Sequence, residues 1–128
     1  MIIRKFWVSI LWFLCILYGS LAPKDSLEPE WFLFKHQDKL IHFMLYGVLM
    51  ILFLRNYLSY APLNKRVYVL TPISFVCISI CIEILQPIVS QRSFEVVDIV
   101  SNAMGVVIGI IVFRKLCKRH CVINGINK

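Results

Sequence analysis

Residues 83–109 read EILQPIVSQRSFEVVDIVSNAMGVVIG. Two apolar segments flank a short polar turn, as where one membrane helix ends and the next begins. Yet Glu83, Gln86, Asp98 and Asn102 stand inside or against those apolar segments. A charged residue at the bilayer centre costs roughly 2.5–3.5 kcal/mol on insertion scales, so such residues face protein or water rather than lipid. The stretch points to a helical membrane bundle and raises the question of what its polar groups face.

The rest of the chain follows the same pattern. Its 128 residues are 59% hydrophobic and 16% charged, where soluble domains run to about 45–50% and 25%. Apolar runs cover 6–22, 40–54, 67–89 and 96–116, which predicts an all-α, four-helix transmembrane bundle. Residues 1–22 read as an N-terminal transmembrane helix. Ser20-x-Ala22 resembles a signal cleavage site, but Pro23 would follow the cut directly, so the helix is expected to be retained. Residues 23–39 read as an extracytoplasmic loop lying on the bilayer surface, because Trp31, Phe32 and Phe34 sit among charges. Residues 38–116 hold the remaining three helices, and 117–128 form a basic cytoplasmic tail.

The formal charge is +7, from 14 basic and 7 acidic residues. With a cytoplasmic N-terminus, 10 of the 14 basic residues fall inside, and all seven acids fall outside or in the outer helix ends. The positive-inside rule then favours both termini in the cytoplasm. This accounts for the basic balance without nucleic acid. Cys15, Cys77 and Cys81 lie in apolar runs, and Cys117 and Cys121 flank His120 in the tail. Thiols so placed predict no disulfide framework. The tail trio is a weak metal motif, and no H-E-x-x-H or nucleotide motif is present, so neither metal nor cofactor is expected.

Helical spacing sorts the polar residues onto faces. Asp38, His42 and Tyr46 share a face of the second helix, and Ser79, Glu83 and Gln86 a face of the third. Asp98, Asn102, Gly105 and Gly109 form a stripe on the fourth, where Gly105-Val-Val-Ile-Gly109 is a G-x-x-x-G motif suited to close helix packing. Three helices so deliver polar groups to one level near the outer surface, with Arg92 between the last two as counter-ion or lid. Taken singly, each residue fits a plain packing role: an interhelical hydrogen bond, an interfacial His42, or Asp98 as an acid at a helix N-terminus. Taken together, two embedded acids converging with His42, Gln86 and Asn102 favour a functional site.

These blocks resemble the VanZ-like family of small bacterial integral membrane proteins. The resemblance rests on Asp38-Lys39-x-x-His42-x-x-x-Tyr46, Glu83-x-x-Gln86 with Arg92, and Asp98-x-x-x-Asn102-x-x-Gly105-x-x-x-Gly109. It implies a multi-pass protein of the bacterial cytoplasmic (inner) membrane. The family's namesake is linked to teicoplanin resistance, a role the resemblance does not transfer to this chain.

The residues leave binding and catalysis both open. In the favoured reading an outer-leaflet pocket binds a lipid headgroup, a lipid-linked wall intermediate or a partner helix. Asp38, Tyr46, Gln86, Arg92, Asp98 and Asn102 would line it, and membrane lipids, an envelope precursor or a second copy of the chain would be the partners. In the alternative the protein is a hydrolase or transferase on a lipid-linked substrate, with His42 and Glu83 as acid and base. Proton-coupled transport through Glu83 and His42 ranks third, because the inner half of the bundle lacks comparable groups.

Overall fold

The computed structural model describes residues 3–23 and 37–123, with side chains at 5–23 and 37–117. The surface loop expected at 24–36 lies outside the described residues, as do the side chains of His120 and Cys121. Four helices follow in order: α1 (Ile3–Leu21), α2 (Gln37–Leu58), α3 (Lys65–Val89) and α4 (Val96–Ile123). They form an all-α bundle, and α2, α3 and α4 are each long and apolar enough to cross a membrane. α1 is a shorter apolar helix over Lys5–Leu21.

The helices exceed their apolar runs for physical reasons. α2 begins at Gln37 rather than at 40, taking Asp38 and Lys39 into its first turn. Asp38 there meets the positive end of the helix dipole, as Asp98 does on α4. α3 begins at Lys65 because Asn64 caps it, its side chain accepting from the Val67 amide at 3.0 Å. Pro72 and Pro87 are both accommodated inside α3. α4 continues to Ile123, so the segment read as a tail from 117 starts as helix. After Ser90 closes α3, Gln91 takes a left-handed φ of 56° and turns the chain toward α4.

The buried core is small and lies between helices: Ile16, Tyr46, Leu49, Met50, Leu54, Val67, Val106 and Phe113. The outer surface is apolar. Val69, Leu70, Ile73, Ile84, Ile88, Val100, Met104 and Val107 are all exposed. In water such a continuous apolar surface would be a liability; lipid is the solvent it suits.

α2 packs chiefly on α4, and glycine makes that approach possible. A Cβ on Gly47 would sit 3.2 Å from the Gly105 carbonyl oxygen, and one on Gly109 would sit 2.6 Å from that of Gly47. A Cβ on Gly105 would collide with the Phe43 carbonyl oxygen. Gly47 completes this seam and has no partner glycine at i±4 to announce it in the sequence. α1 docks through the Trp12 indole, which donates to the Leu45 carbonyl at 3.0 Å, and through Asn56, whose Nδ2 donates to Ser9 Oγ at 2.8 Å. The end of the bundle holding Phe53 is aromatic, with Phe53 tilted against Phe6 at 5.5 Å and edge-to-face with Phe75 at 5.4 Å. The opposite end is polar.

Candidate functional site

The polar end is built from the start of α2, the end of α3, the start of α4 and the turn between the last two. Asn102 ties three helices together. Its Oδ1 lies 3.2 Å from His42 Nδ1 on α2, and its Nδ2 donates to Ser79 Oγ on α3 at 2.7 Å. With Nδ2 turned to Ser79, Oδ1 faces the imidazole, an arrangement that suits a ring proton on Nδ1. Ser79 also hydrogen-bonds the Tyr46 side chain. Every member of this chain is buried, so each satisfied group avoids a desolvation cost of about 1–3 kcal/mol.

A second network surrounds Lys39. Its ammonium lies 2.8 Å from Asp38 Oδ2 and 2.9 Å from Asp98 Oδ1, and it also donates to Glu95 Oε2. In the sequence Lys39 stands in the motif Asp38-Lys39-x-x-His42 without a site role, and nothing local marks Glu95. Their meeting depends on α2 and α4 lying side by side, which local spacing does not encode. Among the described residues no ion pair joins Arg92 to Glu83 or Asp98; the cation that meets Asp98 is Lys39. Arg92 is half-buried, and its Nη1 donates to the Gly19 carbonyl at 3.4 Å.

Two predictions arise from the Lys39 network. Lys39→Met leaves Asp38 and Asp98 without their cation. The lysine side chain is 15% exposed and that of Asp98 8%, so a loss on the order of 2 kcal/mol is expected, a partial discount on the full cost of an unpaired buried charge. A melting curve in detergent reads it directly. The Lys39 hydrogen bond also holds the Glu95 carboxyl below the usual glutamate range. A depressed carboxyl contributes stability above its unfolded pKa and loses it as pH falls through the folded one. The melting temperature should therefore drop on acidification, less steeply in Glu95→Gln.

Glu83 and Gln86 differ from these satisfied groups. They are 1% and 2% exposed, and among the described residues Glu83 Oε1, Glu83 Oε2 and Gln86 Nε2 have no hydrogen-bond partner; Asp98 Oδ1, also without a hydrogen bond, has the Lys39 ammonium at 2.9 Å. Buried polar atoms are seldom left so. Beside them lies a cavity of about 350 Å³ lined by Asp38, Gln86, Gln91, Arg92, Ser93, Glu95 and Asp98. Gln86 and Asp98 belong both to this cavity and to the buried cluster. Tyr46, Asn102, Gly105 and Gly109 lie deeper, Tyr46 and Asn102 in the hydrogen-bonded chain and the glycines in the helix seam.

The chain matches the VanZ/LLP1 family over residues 3–118, which includes all four helices up to the last turns of α4. It belongs to that family. Comparison with curated proteins and with solved structures returned no match. As a VanZ-family membrane protein the chain includes α1 within the matched region, whereas the resemblance in its sequence rested on residues 38–109 alone. Within that region the motif residues His42, Glu83, Gln86, Asp98 and Asn102 lie at the polar end just described.

Proposed function

We propose that this VanZ-family protein binds the polar headgroup of a membrane lipid or of a lipid-linked envelope precursor in the cavity at the polar end of the bundle. One observation carries the reading: a cavity of about 350 Å³ has a basic side chain, Arg92, on its wall, and a buried amide donor with no partner, Gln86 Nε2, beside it. A phosphate or carboxylate satisfies both, the guanidinium bidentately. The exposed apolar helix faces bring lipid to the rim.

In this reading the protein is multi-pass in the bacterial inner membrane with both termini cytoplasmic. That orientation is supported by the bias of 10 basic residues toward the inner segments, and it puts the cavity at the outer leaflet. α1, 19 residues and so about 28 Å long at 1.5 Å per residue, then spans with local thinning of the bilayer. Lys5 at its start donates to the Ser59 carbonyl at 2.8 Å, beside the α2–α3 turn.

Purified protein titrated with phosphatidylglycerol or phosphatidylcholine and followed by native mass spectrometry tests the proposal. Wild type should retain the anionic lipid preferentially, and Arg92→Ala should weaken that retention about tenfold. Equal retention of both lipids by both proteins contradicts it.

A second reading, a hydrolase or transferase on a lipid-linked substrate, is favoured by the closeness of His42 to Glu83 and Asp98. An imidazole beside a carboxylate suits proton transfer near neutral pH. Turnover of a retained lipid that is lost in His42→Gln separates it from binding alone.

A further inference from the structure

The polar end contains two groupings of ligand-type side chains. Asp38, Glu95 and Asp98 form one, and the chain supplies its own cation there, the Lys39 ammonium. His42, Glu83 and Asp98 form the other, all buried, with donor atoms within 4.8 Å of one another. No basic side chain among the described residues is ion-paired with Glu83, and both its oxygens are bare. A formal count over the region sets four carboxylates (Asp38, Glu83, Glu95, Asp98) against two basic groups (Lys39, Arg92). The region is two positive charges short of neutrality.

We propose that His42, Glu83 and Asp98 form a binding site for one divalent transition-metal cation. The donor set, one imidazole and two carboxylates on three different helices, suits a borderline ion such as Zn²⁺ or Mn²⁺. The Asn102 contact at 3.2 Å keeps the imidazole in its Nδ1–H tautomer, which leaves Nε2 with the free electron pair. A metal-bound histidine usually gives its other ring proton to an oxygen acceptor; here the Asn102 side-chain carbonyl takes that place, and Ser79 fixes the amide through its Nδ2. Donors about 2.0–2.2 Å from an ion sit closer together than 4.8 Å, so binding draws the two carboxylates inward. Asp98 retains its contact with Lys39 through one oxygen and serves the ion with the other. Three protein ligands leave a coordination position open, and Asp98, common to the cluster and the cavity lining, places the adjoining cavity beside it. The site stands on this cluster alone and does not depend on the headgroup reading.

The test is made on full-length, lipid-depleted protein in detergent, stripped with a chelator and titrated with ZnCl₂ and MnCl₂. Bound metal is counted by elemental mass spectrometry. Wild type should take up about one ion per chain. Glu83→Gln, nearly isosteric, and His42→Ala should each bind at least tenfold more weakly, and Asn102→Ala about 10–100-fold more weakly through loss of the outer support. Cys117→Ser/Cys121→Ser should bind as wild type does, which excludes the tail as the source. If His42→Ala does not fold, Glu83→Gln decides alone. Folded wild type with no ion, uptake unchanged in Glu83→Gln, or uptake lost with the cysteines overturns the proposal.

Discussion

Gly105→Leu is expected to unfold the bundle or lower its stability by about 3 kcal/mol or more. The reason is backbone against backbone. The first carbon of any side chain at 105 lands on the Phe43 carbonyl oxygen, with the Gly47 amide nitrogen 3.1 Å away on the same side. Neither atom belongs to a flexible side chain that can swing aside, so α2 and α4 must separate. Ordinary overpacking of a core costs about 1–3 kcal/mol; here the whole helix pair moves. That pair also carries Lys39 to Asp98 and His42 to Asn102, so separation dismantles both polar networks. The variant should melt well below wild type in detergent. Gly19→Leu is the control, because a Cβ at Gly19 meets nothing within 4 Å. Equal melting of the Gly105 variant and wild type would contradict the close seam.

Asn102→Leu is the second large effect, and it separates chemistry from volume. Leucine keeps the branched, four-heavy-atom outline of asparagine with bulkier ends, so the chief change between α2, α3 and α4 is the loss of the amide's hydrogen bonds. What goes is the single amide that serves His42 on one side and Ser79 on the other. Both stay buried, and each loses a partner at about 1–3 kcal/mol. The imidazole also loses the contact that sets its tautomer. A stability loss of roughly 2–4 kcal/mol is expected, together with loss of ligand retention even where the protein still inserts. A Leu variant as stable as wild type would mean that the amide chain does not join the helices.

The fold was legible because lipid imposes a coarse rule: long apolar runs become helices. The runs at 67–89 and 96–116 match α3 and α4 closely at their shared turn. The start of α2 was less legible, because Asp38 and Lys39 look like loop residues in sequence and become helical where Lys39 neutralises acids from its own turn and from α4. The glycine seam was half visible. Gly105 and Gly109 announce themselves by spacing, whereas Gly47 is a lone glycine whose role depends on a backbone 58 positions away in sequence. Period-four spacing could place His42, Glu83, Gln86, Asp98 and Asn102 at one level. It could not show that Lys39, rather than Arg92, meets Asp98. Nor could it show three metal-type donors meeting, since each comes from a different helix and no local motif links them.

The most direct test of the account compares chelator-treated wild type with Glu83→Leu, reading the melting temperature before ZnCl₂ is added and metal uptake after it. If the polar end exists to bind a ligand, a buried carboxylate with two bare oxygens is a cost to the empty fold. Replacing even a buried ion pair by packed apolar groups is often neutral or stabilising by about 1–4 kcal/mol, and an unpaired carboxylate lacks the attraction that offsets its desolvation. Glu83→Leu should then melt higher than the chelator-treated wild type and take up no Zn²⁺ at the polar end. A variant that melts lower while taking up Zn²⁺ as wild type does would contradict the account and make Glu83 a packing residue.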